Sequence, residues 1–196
     1  MHIFVTADLH LGHEGIRQHC ARPFSSVEEM DEALISNWNG AVSRRDLVYV
    51  VGDFAWGNHN LYLGRLNGKK ILVRGNHDQM PGDALRHFTE THDLLVRRIA
   101  GHRTVLCHYC LTSWPGSNGG TWHLYGHSHG RIRETSYSPR CDVGVDVWDY
   151  APVPWEAVEK KLAGRAKVLG SDPRALDRNV EENREENRKI RAELTG

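Results

Sequence analysis

Ile3-Phe4-Val5-Thr6-Ala7-Asp8-Leu9-His10 is a short apolar, β-branched run that stops at a small residue, then delivers a carboxylate and, two positions on, an imidazole. It reads as a buried strand whose C-terminal end presents Asp8. The pattern recurs at Leu47-Val48-Tyr49-Val50-Val51, which runs into Gly52-Asp53, and at Ile71-Leu72-Val73, which runs into Arg74-Gly75-Asn76-His77-Asp78. Open α/β sheets bind ligands in the crevice beyond the carboxyl ends of their strands, so these strands aim at one crevice.

Between the first two strands, Ser26-Val27-Glu28-Glu29 fits a capping box, and Val27, Met30, Leu34, Trp38 and Ala41 follow at helical spacing. That helix should cover one face of the sheet. His59 to Leu66, closed by Asn67-Gly68, predicts a shorter helix. The second half lacks long helices between its apolar runs: Leu94-Leu95-Val96, Thr104-Val105-Leu106, Trp122-His123-Leu124-Tyr125 and Val143-Gly144-Val145-Asp146-Val147 succeed one another through loops. A second sheet of adjacent strands is expected, and with it an α/β fold of four layers, α-β-β-α, two mixed sheets flanked by helices. Pro154 to Leu162 predicts a final helix, and Ser171-Asp172-Pro173 opens another. From Glu181 to Glu193 the chain is almost wholly charged or amide, with Glu181/Arg184 and Glu185/Lys189 spaced for ion pairs along a helix. Residues 1–170 are expected to form one domain and 171–196 a solvated helical tail, with Val180, Ile190 and Leu194 as an alternative oligomer contact.

The 196 residues balance 25 Lys and Arg against 25 Asp and Glu, so no net field draws the chain to nucleic acid or an anionic membrane. No apolar run reaches the ~18 residues of a membrane span. The opening residues lack the basic and then apolar stretch of a signal peptide, and the expected location is the cytoplasm. In a reducing compartment Cys20, Cys107, Cys110 and Cys141 are expected to be free thiols. The unusual count is 13 histidines, and their positions carry more than their number.

Asp8-Leu9-His10, Gly52-Asp53, Gly75-Asn76-His77-Asp78, His108 and Gly126-His127-Ser128-His129 all follow apolar strands or sit in the glycine-containing loops behind them. Carboxylate plus imidazole is the donor mixture that borderline divalent metals accept. Asp8 and His10, two apart at a strand end, can chelate one ion, and His127 with His129 repeats that geometry. Each element alone also fits a turn or a structural histidine, but their order points to a dinuclear metal site. Cys107-His108-Tyr109-Cys110 offers a zinc-ribbon alternative, with His127 and His129 completing four ligands, although strand alternation turns Cys107 away from the face that carries His108. Trp114 lies in a loop of turn formers behind His108, where it is a candidate to form a rim that stacks on a base or other ring, with an ordinary exposed loop as the alternative. Arg74 could offer paired N–H donors to phosphate, and His13 could contact it too. Asp142 and Asp146 are candidates to hold a ligand imidazole, with turn roles as the alternative. His2, His19, His59, His87, His92, His102 and His123 follow no ligand rule.

These five motifs, in this order over residues 1 to 150, resemble those of the calcineurin-like metallophosphoesterases. The opening Ala7-Asp8-Leu9-His10-Leu11-Gly12-His13, the segment Arg22-Pro23-Phe24-Ser25-Ser26 and the runs around His127 and Asp146-Val147-Trp148 are similar to those of the small bacterial and phage-type members. The resemblance implies two divalent ions, manganese foremost and zinc, iron or nickel as alternatives. One would be held by Asp8, His10, Asp53 and His129, the other by Asp53, Asn76, His108 and His127, with Asp53 bridging. It implies hydrolysis of a phosphoester by hydroxide held between the ions, with His77 acting on the leaving oxygen. Asp78 is expected to orient His77 or to cap the next helix. The expected substrate is a diester of a nucleotide or nucleic acid. A phosphomonoester substrate and a non-catalytic, metal-stabilised binding module are the alternatives.

Overall fold

The structure, a computed structural model, describes residues 1–135 and 138–171. In chain order the elements are β1 (Ile3–Thr6), α1 (Glu14–His19), α2 (Val27–Ala41), β2 (Leu47–Val50), α3 (Asn60–Leu63), β3 (Lys69–Val73), α4 (Gly82–Leu85), β4 (Glu90–His92), β5 (Leu95–Ile99), β6 (His102–Leu106), β7 (Trp122–Tyr125), β8 (Arg140–Asp142), β9 (Val153–Pro154) and α5 (Trp155–Ser171). The three apolar runs of the first half form β1, β2 and β3 in a parallel array, which β4 extends in parallel and β9 closes antiparallel in the order β4-β3-β2-β1-β9. The second half builds the order β5-β6-β7-β8, antiparallel between β5 and β6 and parallel thereafter. Both sheets are mixed and helices flank them, as the succession of elements predicts.

Continuous apolar runs in β1 to β3 follow from burial on both faces. Phe4, Val48, Val50 and Leu72 pack on one side with Met30, Leu34 and Trp38 of α2. Val5, Tyr49, Ile71 and Val73 point the other way into a second core with Leu106, Trp122, Leu124 and Cys141, which Trp155, Val158 and Leu162 of α5 complete. The helix α2 starts as expected, with Ser26 Oγ accepting from the Glu29 N–H at 3.2 Å. The Glu29 carboxylate reaches one residue further back, to the Ser25 N–H. No described helix is long and apolar enough to cross a membrane.

Three local expectations change. The helix expected over 59–66 is a single turn, Asn60–Leu63. Val143 to Val147 is not a strand: β8 ends at Asp142 and Val145–Val147 is a 3₁₀ turn. The Asp142 carboxylate captures the Gly144 N–H at 2.8 Å and Val145 N–H donates to Ala7 O at 3.0 Å. These two bonds pull the chain off the second sheet and onto the end of β1. Finally, Trp114 forms no rim. It is 6% exposed, lies 5.0 Å from the His123 ring and donates from Nε1 to Thr121 O. Its segment covers the outer face of the second sheet, where Leu111 N–H donates to His123 Nε2. The final helix expected over 154–162 is α5, which runs on to Ser171; residues 172–173 of the next expected helix start, the ion pairs over 181–193 and the contact through Val180, Ile190 and Leu194 lie outside the described residues.

Trp114→Ala should therefore act on stability, costing about 3–5 kcal/mol as a buried aromatic truncation, and urea unfolding will measure it. A loss within ~0.5 kcal/mol, the range of surface changes, would return Trp114 to an exposed loop.

Candidate metal centre

Every parallel strand that carries a motif ends on the same side of the molecule, and the backbone beyond each end is bent sharply. Asp8, His10, Asp53, His127 and His129 all have left-handed φ, between 47° and 65°, a conformation that for non-glycine residues stores on the order of 1–3 kcal/mol each. Hydrogen bonds between loops hold it: Asp8 N–H donates to Gly52 O, His10 N–H to Asp53 O, and His127 N–H to the Asp8 carboxylate, each at 3.0 Å. The motif glycines serve close approach. A Cβ on Gly75 would stand 2.2 Å from Asp53 Oδ1, and one on Gly52, which also needs its φ of 88°, would stand 2.3 Å from His108 Nδ1.

These loops gather the donors in two groups. In one, Asp8, His10 and His129 bring ligand atoms within 4.8 Å of one another, and in the other Asp53, His108 and His127 do the same. Asp53 Oδ2 joins them, 3.4 Å from His10 Nε2 and 3.3 Å from His108 Nε2. Asn76 Oδ1 lies 3.0 Å from the same His108 nitrogen. Second hydrogen bonds orient the imidazoles: His108 Nδ1 meets Val51 O at 3.0 Å, His10 Nδ1 meets His13 Nδ1 at 3.3 Å, and His129 Nδ1 meets Asp146 Oδ2 at 2.7 Å.

The residues fit a pair of cations. Asp8 Oδ2 and His10 Nε2 are buried with no hydrogen-bond partner among the described residues, an expensive arrangement for polar atoms that nothing else satisfies. Burial pushes the Asp8 carboxyl up to about 7, against the attraction of His129 and His108. Burial likewise drives His10 down to about 3, so it presents a lone pair rather than a charge. At Asp53 burial raises the pKa, but the bond to His108 and its charge outweigh it and hold the carboxyl at about 2. His10 and Asp53 are thus held in the forms a divalent metal requires, unprotonated imidazole and ionised carboxylate, whereas Asp8, His108 and His129, all shifted upward, would release protons as a metal binds.

Arg22 and Asp146 form the frame behind this centre. The Arg22 guanidinium is buried, donates two 2.8 Å bonds to Asp146, and also donates to Asp8 O and Leu9 O. Asp146 thus takes the orienting role foreseen for it. Asp142 instead shapes the loop between His127 and Gly130 by accepting from Ser128 Oγ and Gly130 N–H. The sequence reading assigned Arg22 no role; only its place in the segment that resembles the small phosphoesterases marked it.

Asp78 departs from expectation. Its carboxylate accepts from the N–H groups of Asp53, Phe54 and Gly75, each at 2.8 Å, so it staples two ligand loops together and makes no bond to the His77 ring. His77 and His13 line a cavity of about 460 Å³ together with His10, Asp53, Asn76, His127 and His129. Arg74 is turned away from it: N–H continues the β3 pairing by donating to His92 O, and the guanidinium pairs with Asp93 at 2.8 Å. His19 and Arg131, which no motif marks, line the cavity instead, with Arg131 donating to His19 O. The other histidines set aside from the site include His123, fully buried, and His102, stacked on Trp122 at 3.8 Å. Among the described residues, neither Cys107 nor Cys110 joins a group of potential ligands, which removes the zinc-ribbon alternative.

Comparison with known proteins gives a consistent picture. An uncharacterized protein of Methanocaldococcus jannaschii is 33% identical over 177 residues, covering 85% of this chain and 94% of the relative. The gene 66 protein of Mycobacterium phage D29 is 29% identical over 77% of this chain and 92% of its own length. A crystal structure of a protein of unknown function from Aquifex aeolicus shares the fold with a TM-score of 0.63, 23% identity, and coverage of 81% of this chain and 98% of that one. The profile of the calcineurin-like phosphoesterases spans residues 1–165 and so takes in every loop that contributes to the two donor groups. With its motifs in order and its donors converging about Asp53, the chain belongs to the calcineurin-like phosphoesterase family.

Proposed function

We propose that residues 1–170 form a phosphodiesterase that acts on nucleotides or nucleic acid with two bound divalent cations, manganese foremost and zinc, iron or nickel as alternatives. Membership of the family supplies the coarser part, metal-dependent hydrolysis of phosphoesters. The observation that carries the two-metal reading is the position of Asp53 Oδ2, 3.4 Å from an imidazole of one donor group and 3.3 Å from one of the other. Asp8, His10 and His129 would hold one ion, Asn76, His108 and His127 the other, and Asp53 both. Two such ions supply Lewis acidity, lowering the pKa of water and clamping phosphoryl oxygens.

The remaining chemistry belongs to the protein. His77 stands beside the donors, its ring 5.5 Å from that of His10, where it can give a proton to a leaving oxygen. Its backbone N–H donates to Asp53 Oδ1, which ties the position of the acid to that of the bridging carboxylate. His13, in the same cavity, can donate to a phosphoryl oxygen. Diester preference rests on charge: a diester carries less negative charge than a monoester, and with Arg74 paired to Asp93 the cavity lining carries, among the described residues, a single arginine, Arg131. Localisation in the cytoplasm is part of the same proposal.

Turnover of bis-p-nitrophenyl phosphate with added manganese should exceed that of p-nitrophenyl phosphate, and a strong preference for the monoester would overturn the diester reading. Asp53→Asn should abolish turnover and metal binding together; elemental analysis showing two ions per chain in this variant would refute the bridge. His77→Ala should retain the metals and lose about 10²- to 10⁴-fold in kcat, the worth of a general acid, with an unchanged kcat excluding that role.

A further inference from the structure

A second hollow of about 270 Å³ adjoins the metal-ligand cavity, lined by Trp56, Gly57, His59, Asn76, His77 and Gln79. Asn76 and His77 line both spaces, so a substrate whose phosphorus lies at the donor groups can pass a substituent across His77 into this hollow. Its volume falls just below the ~300 Å³ at which pockets begin to take whole small molecules, which suits one ring system.

Two observations define what that ring is. Trp56 is 50% exposed and forms a wall of the hollow, its indole held flat by His13 at 4.5 Å and 14° and lying 5.3 Å from His77. The open part of this indole offers a planar ring a surface to stack on at the edge of a polar cavity. His59, another lining residue, is only 5% exposed, and neither of its buried ring nitrogens has a hydrogen-bond partner among the described residues. A buried imidazole in this state is costly unless a ligand satisfies it. An alkyl substituent would leave His59 unsatisfied. A purine or pyrimidine offers both a face for the indole and nitrogen and oxygen atoms at its edge for His59 and Gln79.

We propose that this hollow binds the base of the nucleoside that leaves, with Trp56 as the stacking platform and His59 reading the edge of the base. The inference rests on the phosphodiesterase reading above and narrows it: the favoured substrates carry a base on the leaving side, and His77 lies between that base and the scissile bond. Trp56 is a specificity residue here, since its contact is with a part of the substrate that does not react.

The test compares a dinucleoside monophosphate with the analogue whose leaving deoxyribose lacks its base, using the metal-loaded full chain. The ratio of kcat/KM should favour the intact dinucleotide by ~5- to 150-fold, the span of base stacking on aromatic side chains. Trp56→Ala should bring the ratio close to one, Trp56→Phe should keep most of it, and His59→Ala should lower it. A purely structural role for Trp56, such as supporting His13, would slow both substrates equally and leave the ratio intact. Binding offers an independent readout. Trp38, Trp114, Trp122 and Trp155 are buried and the half-buried Trp148 lines neither cavity, so quenching of tryptophan fluorescence by a hydrolysis-resistant dinucleoside methylphosphonate should be largely lost in Trp56→Phe. Both diesters cleaved with equal efficiency, or quenching unchanged in Trp56→Phe, overturns the inference and leaves the phosphodiesterase reading standing. Failure to cleave either diester while a monoester is cleaved overturns both.

Discussion

Asp53 sits where two imidazoles from opposite sheets converge on one carboxylate oxygen, and the rest of the structure depends on keeping it there. The residue is almost wholly buried, so its charge needs compensation from within the protein. Three kinds of contact fix it: the His77 N–H on one oxygen, the approach of His10 and His108 on the other, and the glycine backbone of the following loop packed against its side. Any shift of that carboxylate by an ångström would separate the two donor groups. The chain invests backbone strain at five positions around it, and recovers that cost through bonds between loops and through the stability of the two sheets beneath.

The frame behind the donors is built from one buried charge pair and two carboxylates that bind backbone. Asp78 draws the loops after β2 and β3 together through three backbone N–H groups. Asp146 holds His129 and is itself held by buried Arg22, whose other donors secure the carbonyls of Asp8 and Leu9. Asp142 shapes the last ligand loop and at the same time folds the chain beyond β8 back to the end of β1. Carboxylates in these positions satisfy backbone donors that the bent loops expose, which is why a region so rich in buried charge remains consistent with a stable fold. The cavity in front is correspondingly polar, and the half-exposed Trp56 lines the adjoining hollow beyond His77.

Much of this could be read along the chain. Strands β1, β2, β3 and β7, the start of α2, and the division into a parallel first half and a looped second half follow from apolar periodicity and caps, which are local in sequence. That these donors would gather in one place was legible because each follows a strand, and strand ends in parallel sheets share one side. Residues whose partners lie far away were not legible. Arg22 and Asp146 are 124 positions apart; nothing local distinguishes Arg22 from an exposed arginine. Trp114 and Arg74 were misplaced for the complementary reason, since polarity and turn formers suggest a rim or a phosphate contact until Thr121, His123 and Asp93 are seen to claim those side chains. Val143–Val147 has the composition of a strand, and only the capture of Gly144 and Val145 by Asp142 and Ala7 breaks it.

What the amino-acid order determined by itself is therefore the kind of chemistry: carboxylates and imidazoles delivered at strand ends, in a succession that matches a phosphoesterase family. Tertiary structure decided which carboxylate oxygen stands between the two donor groups, that Asp146 meets a histidine while Asp78 and Asp142 bind backbone, and that Trp56 rather than Trp114 lies beside His13 and His77. The physical reason is the range of the forces involved. Hydrophobic period and turn preference act over a few residues and leave their mark in sequence, whereas the burial of a polar atom is settled only by the distant groups packed around it.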